Sequence, residues 1–408
     1  MTVTLEDIQK AALLIEGSVV RTPLVPMHHL RDLLGFDAFL KLENLQNIGS
    51  FKQRGALVKL KSLSAEEAKA GVIAMSAGNH AQGVAYHAQK LSIPATIVMP
   101  QGTPFGKIEA TTRYGAQVIL EGDSVDAAGS HARDLAQKNG LTFVHPFDDE
   151  HIIAGQGTIG LELLADCPEL DAVIVPIGGG GIIAGIATAV KALRPKIEVI
   201  GIESTLYPSM YCAIKGGTPV FGGPTLAEGI ALKAAGVIPK EIVSRLVNDI
   251  FLVDDLLIER AVQLLAERCH VVAEGAGAAS LAGALANRER FSGKKVAMII
   301  CGGNIDSRIL ASVLLRGMVR EGRMASLRVE ISDRPGTLSK VAKVIGDTGG
   351  NIVEVIHQRM FYDVPVRSAE LDCVVETKNR EHIQEIVLRL KEAGFPTTVL
   401  RATQSEAS

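Results

Sequence analysis

The chain has 408 residues, 47% of them hydrophobic, with a formal net charge of −3, which suits two or three globular domains with substantial cores. The near-neutral balance gives no long-range field for nucleic acid or an anionic membrane, and no apolar run reaches the roughly 20 residues a membrane helix needs. The start, Met1 to Asp7, reads as neither a signal nor a transit peptide. The five cysteines, Cys167, Cys212, Cys269, Cys301 and Cys373, form no Cys-x-x-Cys pair, which points to a reduced, cytoplasmic protein without structural zinc.

Thr4 to Ile15 reads as a helix, with Leu5, Ile8, Ala12 and Ile15 on one face and Thr4 as its cap. Arg21-Thr22-Pro23-Leu24 is extended, because the residue before proline avoids the helical region. Phe39 to Leu42 is a short strand. It leads through Lys41-Leu42-Glu43-Asn44-Leu45-Gln46 and Gly49-Ser50 into Phe51-Lys52-Gln53-Arg54-Gly55-Ala56. This setting puts Lys52 just inside a helix start on a largely apolar chain, where an amine loses water and its pKa falls. A Schiff-base lysine needs that; a surface lysine is the plain alternative.

From Val72 onward, short apolar runs alternate with helical patterns. Strands are predicted at Val72–Met75, Ala95–Met99, Gln117–Leu120, Phe143–Val144, Ala172–Ile177, Val199–Ile202, Phe251–Val253 and Val296–Ile300. Helices are predicted at Ala81–Lys90, Lys107–Tyr114, Ser124–Asn139, Gly155–Ala165 and Ile182–Leu193. Continuous apolar strands separated by helices describe an α/β body with parallel sheets, doubly wound, whose ligands sit in the loops beyond the strand carboxyl ends.

Three such loops stand out. Ser76-Ala77-Gly78-Asn79-His80 offers a hydroxyl, an amide and helix N-terminal N–H groups to a carboxylate, or is a capped turn. Gly178-Gly179-Gly180-Gly181 opens a helix with bare backbone suited to a phosphate. Gly179, Gly181 and Ala184 also satisfy the G-x-G-x-x-A dinucleotide pattern, with Glu203 after the next strand, so an NAD-binding domain is a fair rival on this segment. Cys301-Gly302-Gly303-Asn304 sets a small neutral thiol at a central strand tip, or is a buried cysteine beside a tight turn. Ala227-Glu228-Gly229-Ile230 and Ala273-Glu274-Gly275-Ala276-Gly277-Ala278 read as backbone approaching a flat ligand or as close helix packing.

Residues 309–325 form a basic helical connector, after which the pattern changes. Leu327, Val329 and Ile331 alternate as a strand. Asp333-Arg334-Pro335-Gly336 turns into a helix carrying Leu338, Val341 and Ile345. Gly349-Gly350-Asn351 leads to strand Ile352–His357, Ala369 to Val375 alternate again, and helix Glu381–Ala393 precedes strand Thr397–Leu400. The order is βαββαβ, a ferredoxin-like unit. It holds no nucleophile with a base, so it reads as regulatory or assembly-forming. Residues 401–408 read as a tail.

Lysine segment, asparagine loop, tetraglycine and Cys-Gly-Gly-Asn together resemble the fold-type II pyridoxal-phosphate enzymes, and within them the threonine dehydratases (threonine ammonia-lyases), over about residues 5–320. Residues 326–400 resemble an ACT domain, with Asp333-Arg334-Pro335-Gly336 and Gly349-Gly350-Asn351 as its loop signatures. The resemblance implies a tryptophan synthase β-like catalytic body of two parallel-sheet subdomains, residues 1–320, with the smaller one (about 40–145) inserted in the larger. Lys52 would hold pyridoxal 5′-phosphate and act as the catalytic base at Cα. Phe51 would pack on the pyridine ring, Asn79 would bond its phenolic oxygen, Gly178 to Gly181 would cradle the phosphate, and Cys301 would face the pyridine nitrogen. Ser76, Ala77, Gly78, Asn79 and His80 would hold the substrate carboxylate. Asp333, Gly336 and Asn351 would serve regulation by an amino-acid effector, isoleucine or valine on a route to isoleucine, in a homodimer or homotetramer. The tetraglycine is then a cofactor-phosphate loop, because Lys52 and Asn79 have no role in an NAD site.

The reaction implied is that of a carbon–nitrogen lyase: β-elimination of water from threonine, giving 2-oxobutanoate and ammonia, with serine giving pyruvate. Serine racemases of the same family carry a serine at the position of Ala77, so dehydration is favoured over racemisation. They also have a divalent-cation site that includes a carboxylate matching Glu203. The second carboxylate would fall near Ser209, so no metal is expected. Serine or 3-hydroxyaspartate dehydration is the near alternative, and an NAD-binding ligand sensor the alternative of a different class.

Overall fold

Polar caps and apolar runs decide where the elements begin and end. Thr4 closes a capping box with Asp7 at the start of helix Leu5–Ile15, and Ser124 caps helix Val125–Asn139 through the Ala127 N–H, each removing an unsatisfied donor. The computed structural model describes residues 3–358 and 368–400, so the expected tail at 401–408 lies outside the described residues. The chain divides into two units, Met1–Ile305 and Asp306–Ser408.

The strands of the first unit are β1 (Leu24–Pro26), β2 (Asp37–Lys41), β3 (Val72–Met75), β4 (Ala95–Met99), β5 (Gln117–Leu120), β6 (Thr142–Phe143), β7 (Ala172–Pro176), β8 (Glu198–Ser204), β9 (Asp249–Val253) and β10 (Lys295–Ile299). They form a six-stranded sheet in the order β1-β2-β10-β7-β8-β9 and a four-stranded sheet in the order β5-β4-β3-β6. All pairings are parallel except β1 with β2 at one edge. Every residue of β7 is buried, as a strand covered by helices on both faces must be.

This topology positions the site. Strands β2, β10 and β7 are adjacent and parallel, so the lysine segment after β2, Cys301 after β10 and the glycines after β7 emerge at one end of the sheet. The asparagine loop follows β3, an interior strand of the other sheet. Helix Lys52–Lys61 crosses helix Glu150–Asp166 at Gly55 and Gly155, where a Cβ on Gly155 would lie 2.6 Å from the Gly55 Cα. Beneath this crossing lies a charged cluster. Arg54 donates to Glu43 at 2.8 Å and to Glu162 at 2.6 Å, and Lys41 donates to Glu162 at 2.6 Å. Lys41, Glu43 and Arg54 are fully buried.

One difference from the sequence reading has a clear cause, and one alternative it left open is narrowed. Helix Glu150–Asp166 starts five residues before the predicted Gly155, because Asp149 caps it through the His151 and Ile152 N–H groups. The small-residue segment at 273–278 is close packing: a Cβ on Gly275 would lie 2.2 Å from the Leu226 carbonyl oxygen, and one on Gly277 2.2 Å from that of Gly302.

In the second unit, helix Ser307–Arg320 precedes β11 (Met324–Ser332), β12 (Asn351–Gln358), β13 (Ser368–Glu376) and β14 (Thr397–Leu400). The sheet is antiparallel in the order β12-β13-β11-β14. With helices Thr337–Asp347 and Arg380–Glu392 between strands, the order is βαββαβ. Leu327, Val329, Leu371, Cys373 and Val375 from one sheet face pack against Val341, Ile345, Ile386 and Leu390 from the helices, which is the alternation legible in the sequence.

Candidate active site

Gly49, with φ +72°, turns the chain after β2. Ser50 pairs with Gly302, and the Phe51 N–H donates to the Cys301 carbonyl at 3.0 Å. Lys52 is therefore the first residue of its helix and is tied to the tip of β10. Its Nζ donates to the Pro146 carbonyl at 2.8 Å and stands 5.2 Å from the centre of the Phe51 ring. Burial lowers the Lys52 pKa from 10.5 to about 8, partly offset by Cys301 and Glu274. Desolvation disfavours the ammonium form, so a usable fraction of free amine exists at neutral pH.

The glycine run leaves β7 through Gly178 and enters helix Gly181–Leu193, with Gly180 at φ +95°. A Cβ on Gly179 would lie 2.2 Å from the Phe147 ring, and one on Gly181 would lie 3.0 Å from the Phe147 carbonyl oxygen. Pro146 and Phe147 thus touch the lysine amine on one side and the glycines on the other. The next residue, Asp148, accepts from the Val237 and Ile238 N–H groups at 2.9 Å. Sequence reading missed this His145-to-Asp149 connector; its signal was polar and aromatic residues just after a short edge strand, β6.

Across the cleft, Ser76 to Gly78 lead into helix Asn79–Leu91, whose first N–H groups have no intrahelical acceptor. The Gly78 N–H donates to Ser76 Oγ at 3.1 Å, and space around Gly78 is open. Asn79 is held at both ends of its amide: Nδ2 donates to Glu274 Oε1 at 2.7 Å, and Oδ1 accepts from Asn304 Nδ2 at 2.7 Å. His80 faces inward, with Nε2 2.9 Å from the Val144 carbonyl oxygen. Burial, with the Lys52 charge second, drives its pKa down to about 3, so the ring is neutral. The Cys301 thiol is buried, and burial raises its pKa well above the ordinary value. Burial also lifts Glu274 to about 7, against the lowering effect of the Asn79 hydrogen bond. Glu274 was read only as part of a small-residue stretch, yet it is the one charged side chain there.

Glu203 does not offer a carboxylate to a ribose. It is fully buried and accepts from the Met210 and Tyr211 N–H groups at 2.8 Å and from Ser209 Oγ at 3.3 Å. The dinucleotide reading of the glycine run loses its acidic partner there. In the second unit, Gly336 sits at φ +83° before helix Thr337–Asp347, Asp333 lies in the same turn, and Asn351 opens β12 with Nδ2 donating to Glu376 Oε2 at 3.2 Å.

Comparison with known proteins agrees with this geometry. A family model described as "Pyridoxal-phosphate dependent enzyme" matches residues 15–302, and one described as "ACT domain" matches residues 320–393. An L-threonine ammonia-lyase of Thermotoga maritima is 44% identical over 400 residues, covering 98% of this chain and 100% of the relative. Among solved structures, the processed form of threonine deaminase isoform 2 from Solanum lycopersicum is 36% identical with a TM-score of 0.72, over 76% of this chain and 92% of that one. Serine racemase from Dictyostelium discoideum is 35% identical with a TM-score of 0.70, over 75% of this chain and 100% of that one.

Proposed function

The chain belongs to the pyridoxal-phosphate dependent enzymes and carries a C-terminal ACT domain, and from that premise we propose that it is a threonine ammonia-lyase regulated through that domain. The residues fit pyridoxal 5′-phosphate. A partly buried amine with a pKa of about 8 stands one backbone contact from a four-glycine helix start where Cβ atoms would clash. Lys52 would hold the cofactor, with Phe51, Asn79, Gly178, Gly179, Gly180, Gly181 and Cys301 around it. When bound, the cofactor supplies an electron sink for charge developing at the substrate Cα.

The chain's own groups supply the rest. The N–H groups opening helix Asn79–Leu91, with the Ser76 hydroxyl, receive the substrate carboxylate at the positive end of a helix. Lys52 Nζ takes the Cα proton, because its lowered pKa leaves a lone pair available near neutrality. Ala77 has no group to return a proton from the other face, which favours loss of the β-hydroxyl over inversion. Cys301, held neutral by burial, would offer a bound cofactor's ring nitrogen a thiol and no carboxylate charge, which would favour elimination over prolonged storage of negative charge. The observation that carries the reading is the Lys52 amine: depressed pKa, tethered to the glycine-loop neighbour Pro146 and to the tip of β10.

Asp333, Gly336 and Asn351 are proposed to line an amino-acid effector site in residues 326–400, taking a branched-chain ligand, with residues 1–320 catalytic. We further propose a cytoplasmic homodimer or homotetramer; all five cysteines are free thiols, which supports a reducing compartment. The test is release of 2-oxo acid from threonine, serine and 3-hydroxyaspartate, with and without isoleucine or valine. Threonine should give 2-oxobutanoate, and Lys52→Ala should keep the fold and lose the product. Unaltered turnover in that variant would remove the assignment, and a wild type acting only on serine or 3-hydroxyaspartate would redirect it.

A further inference from the structure

The Asn79 amide is the centre of a hydrogen-bond chain that joins three segments far apart in sequence. Asn304 Nδ2 donates to the Ile48 carbonyl at 2.8 Å and to Asn79 Oδ1 at 2.7 Å, and Asn79 Nδ2 donates to Glu274 Oε1 at 2.7 Å. The direction of the chain is fixed at its start. A backbone carbonyl only accepts, so Asn304 must turn its amino group toward Ile48 and therefore toward Asn79. Asn79 must then answer with its oxygen, which puts its own amino group on the Glu274 side. That amino group has two hydrogens, and Glu274 takes one. No second acceptor lies within bonding distance of it among the described residues.

Two glycines make the arrangement sterically feasible. A Cβ on Gly49 would lie 2.4 Å from Asn304 Oδ1, and a Cβ on Gly302 would lie 2.3 Å from Glu274 Oε1 and 3.2 Å from Asn79 Nδ2. Gly302 has an ordinary φ, so its missing side chain is explained by the space these two groups occupy rather than by backbone strain.

We infer that Asn304 and Glu274 are positioning residues that act through Asn79: together they lock its amide so that one Nδ2–H, and not the carbonyl oxygen, is left for a bound anionic oxygen. This rests on the reading of the site as a pyridoxal-phosphate centre in which Asn79 donates to the ring's phenolic oxygen. Without the lock the amide is free to flip, and the flipped form sets two acceptors against each other wherever Glu274 is ionised. Neither residue needs to touch substrate or cofactor.

The experiment uses apoprotein reconstituted with pyridoxal 5′-phosphate. It reads the dissociation constant and the visible absorption band, which do not depend on turnover. Asn304→Ala should weaken cofactor binding roughly ten-fold, the usual scale for an orphaned polar partner. Asn304→Asp, which faces Ile48 and Asn79 with acceptors only, should weaken it more and shift the band. The double variant Asn79→Ala with Asn304→Ala should bind no worse than Asn79→Ala alone, because the second residue acts only through the first. Glu274→Ala should match Asn304→Ala, whereas Glu274→Gln, which keeps an acceptor, should restore binding. Additive losses in the double variant, wild-type binding in both Asn304 variants, or Glu274→Gln as weak as Glu274→Ala would overturn the inference. A wild-type protein with no Lys52-dependent visible band would overturn the pyridoxal-phosphate reading itself, which separates the two failures.

Discussion

If burial lowers the Lys52 pKa from 10.5 to about 8, the apoprotein should reveal it in the pH dependence of one amine. At pH 7 a lysine of pKa 8 is free amine in about one molecule in eleven, and one of pKa 10.5 in about one in 3,000. The structure therefore gives position 52 an advantage of about 300-fold in reactive form over an ordinary lysine. The assay is reductive methylation of the apoprotein at a series of pH values, with mass spectrometry of the peptides containing Lys52 and an exposed lysine such as Lys69. Labelling of Lys52 should rise to a plateau with its midpoint near pH 8. The same shift has a thermodynamic sign: between about pH 8 and 10.5 the unfolded chain holds a proton the folded one has released, so apoprotein stability should increase with pH across that window. Labelling of Lys52 that keeps climbing in parallel with the exposed lysine to pH 10 would refute the reasoning, because desolvation would then not govern the amine.

Three further outcomes follow from packing. Gly179→Ala drives a Cβ to 2.2 Å from the Phe147 ring, so pyridoxal-phosphate affinity should fall by at least about ten-fold while circular dichroism stays native; unchanged affinity would show that the loop yields. Glu43→Ala leaves Arg54 inside the protein with one carboxylate fewer, and denaturant melts should register a loss of about 3–5 kcal/mol, with Glu43→Gln intermediate. Gly350→Ala places a Cβ 2.9 Å from both Ile345 and Ile386, an overpacking of about 1–3 kcal/mol. Hydrogen exchange should then accelerate in β11 to β14 and not in β7 or β10.

The sheets were legible because their signal is local. β3, β4 and β5 lie where apolar runs between turn residues put them, and Lys52, Asn79, the four glycines and Cys301 stood out as candidates because they fall in the segments between a strand and the next helix or at that helix's first residue. What the sequence hid is pairing across distance. Asn304 reaches Asn79 over 225 positions and Asn79 reaches Glu274 over 195, and nothing within any one window announces either contact. Pro146 and Phe147 were hidden for the same reason: a carbonyl has no residue signature, and an aromatic beside a strand reads as core. Helix Asp255–Cys269 is a different kind of omission, because Asp254 caps it and Ile258, Ala261, Val262 and Leu265 are buried along it. Its cap and its apolar spacing are both local signals, so this helix is legible from the sequence alone.

One physical cause runs through the titratable groups of the cleft. Burial is the largest influence on Lys52, His80, Glu274 and Cys301, and in each case it pushes toward the uncharged form. The consequences differ by residue type. His80, driven to about 3, cannot deliver a proton at neutral pH, and Cys301, driven upward, cannot give one up. The same burial moves Lys52 toward neutrality and so turns an ordinary cation into a base. Burial thus leaves His80 and Cys301 uncharged and inert at neutral pH and brings only Lys52 and Glu274 to titrate near neutrality, so proton exchange is confined to those two groups and a bound anion is oriented by dipoles as well as by the amine. That is why the orientation of a single neutral amide, Asn79, carries so much weight here: where formal charges are suppressed, the direction in which a hydrogen-bond donor points becomes the main electrostatic lever the protein has.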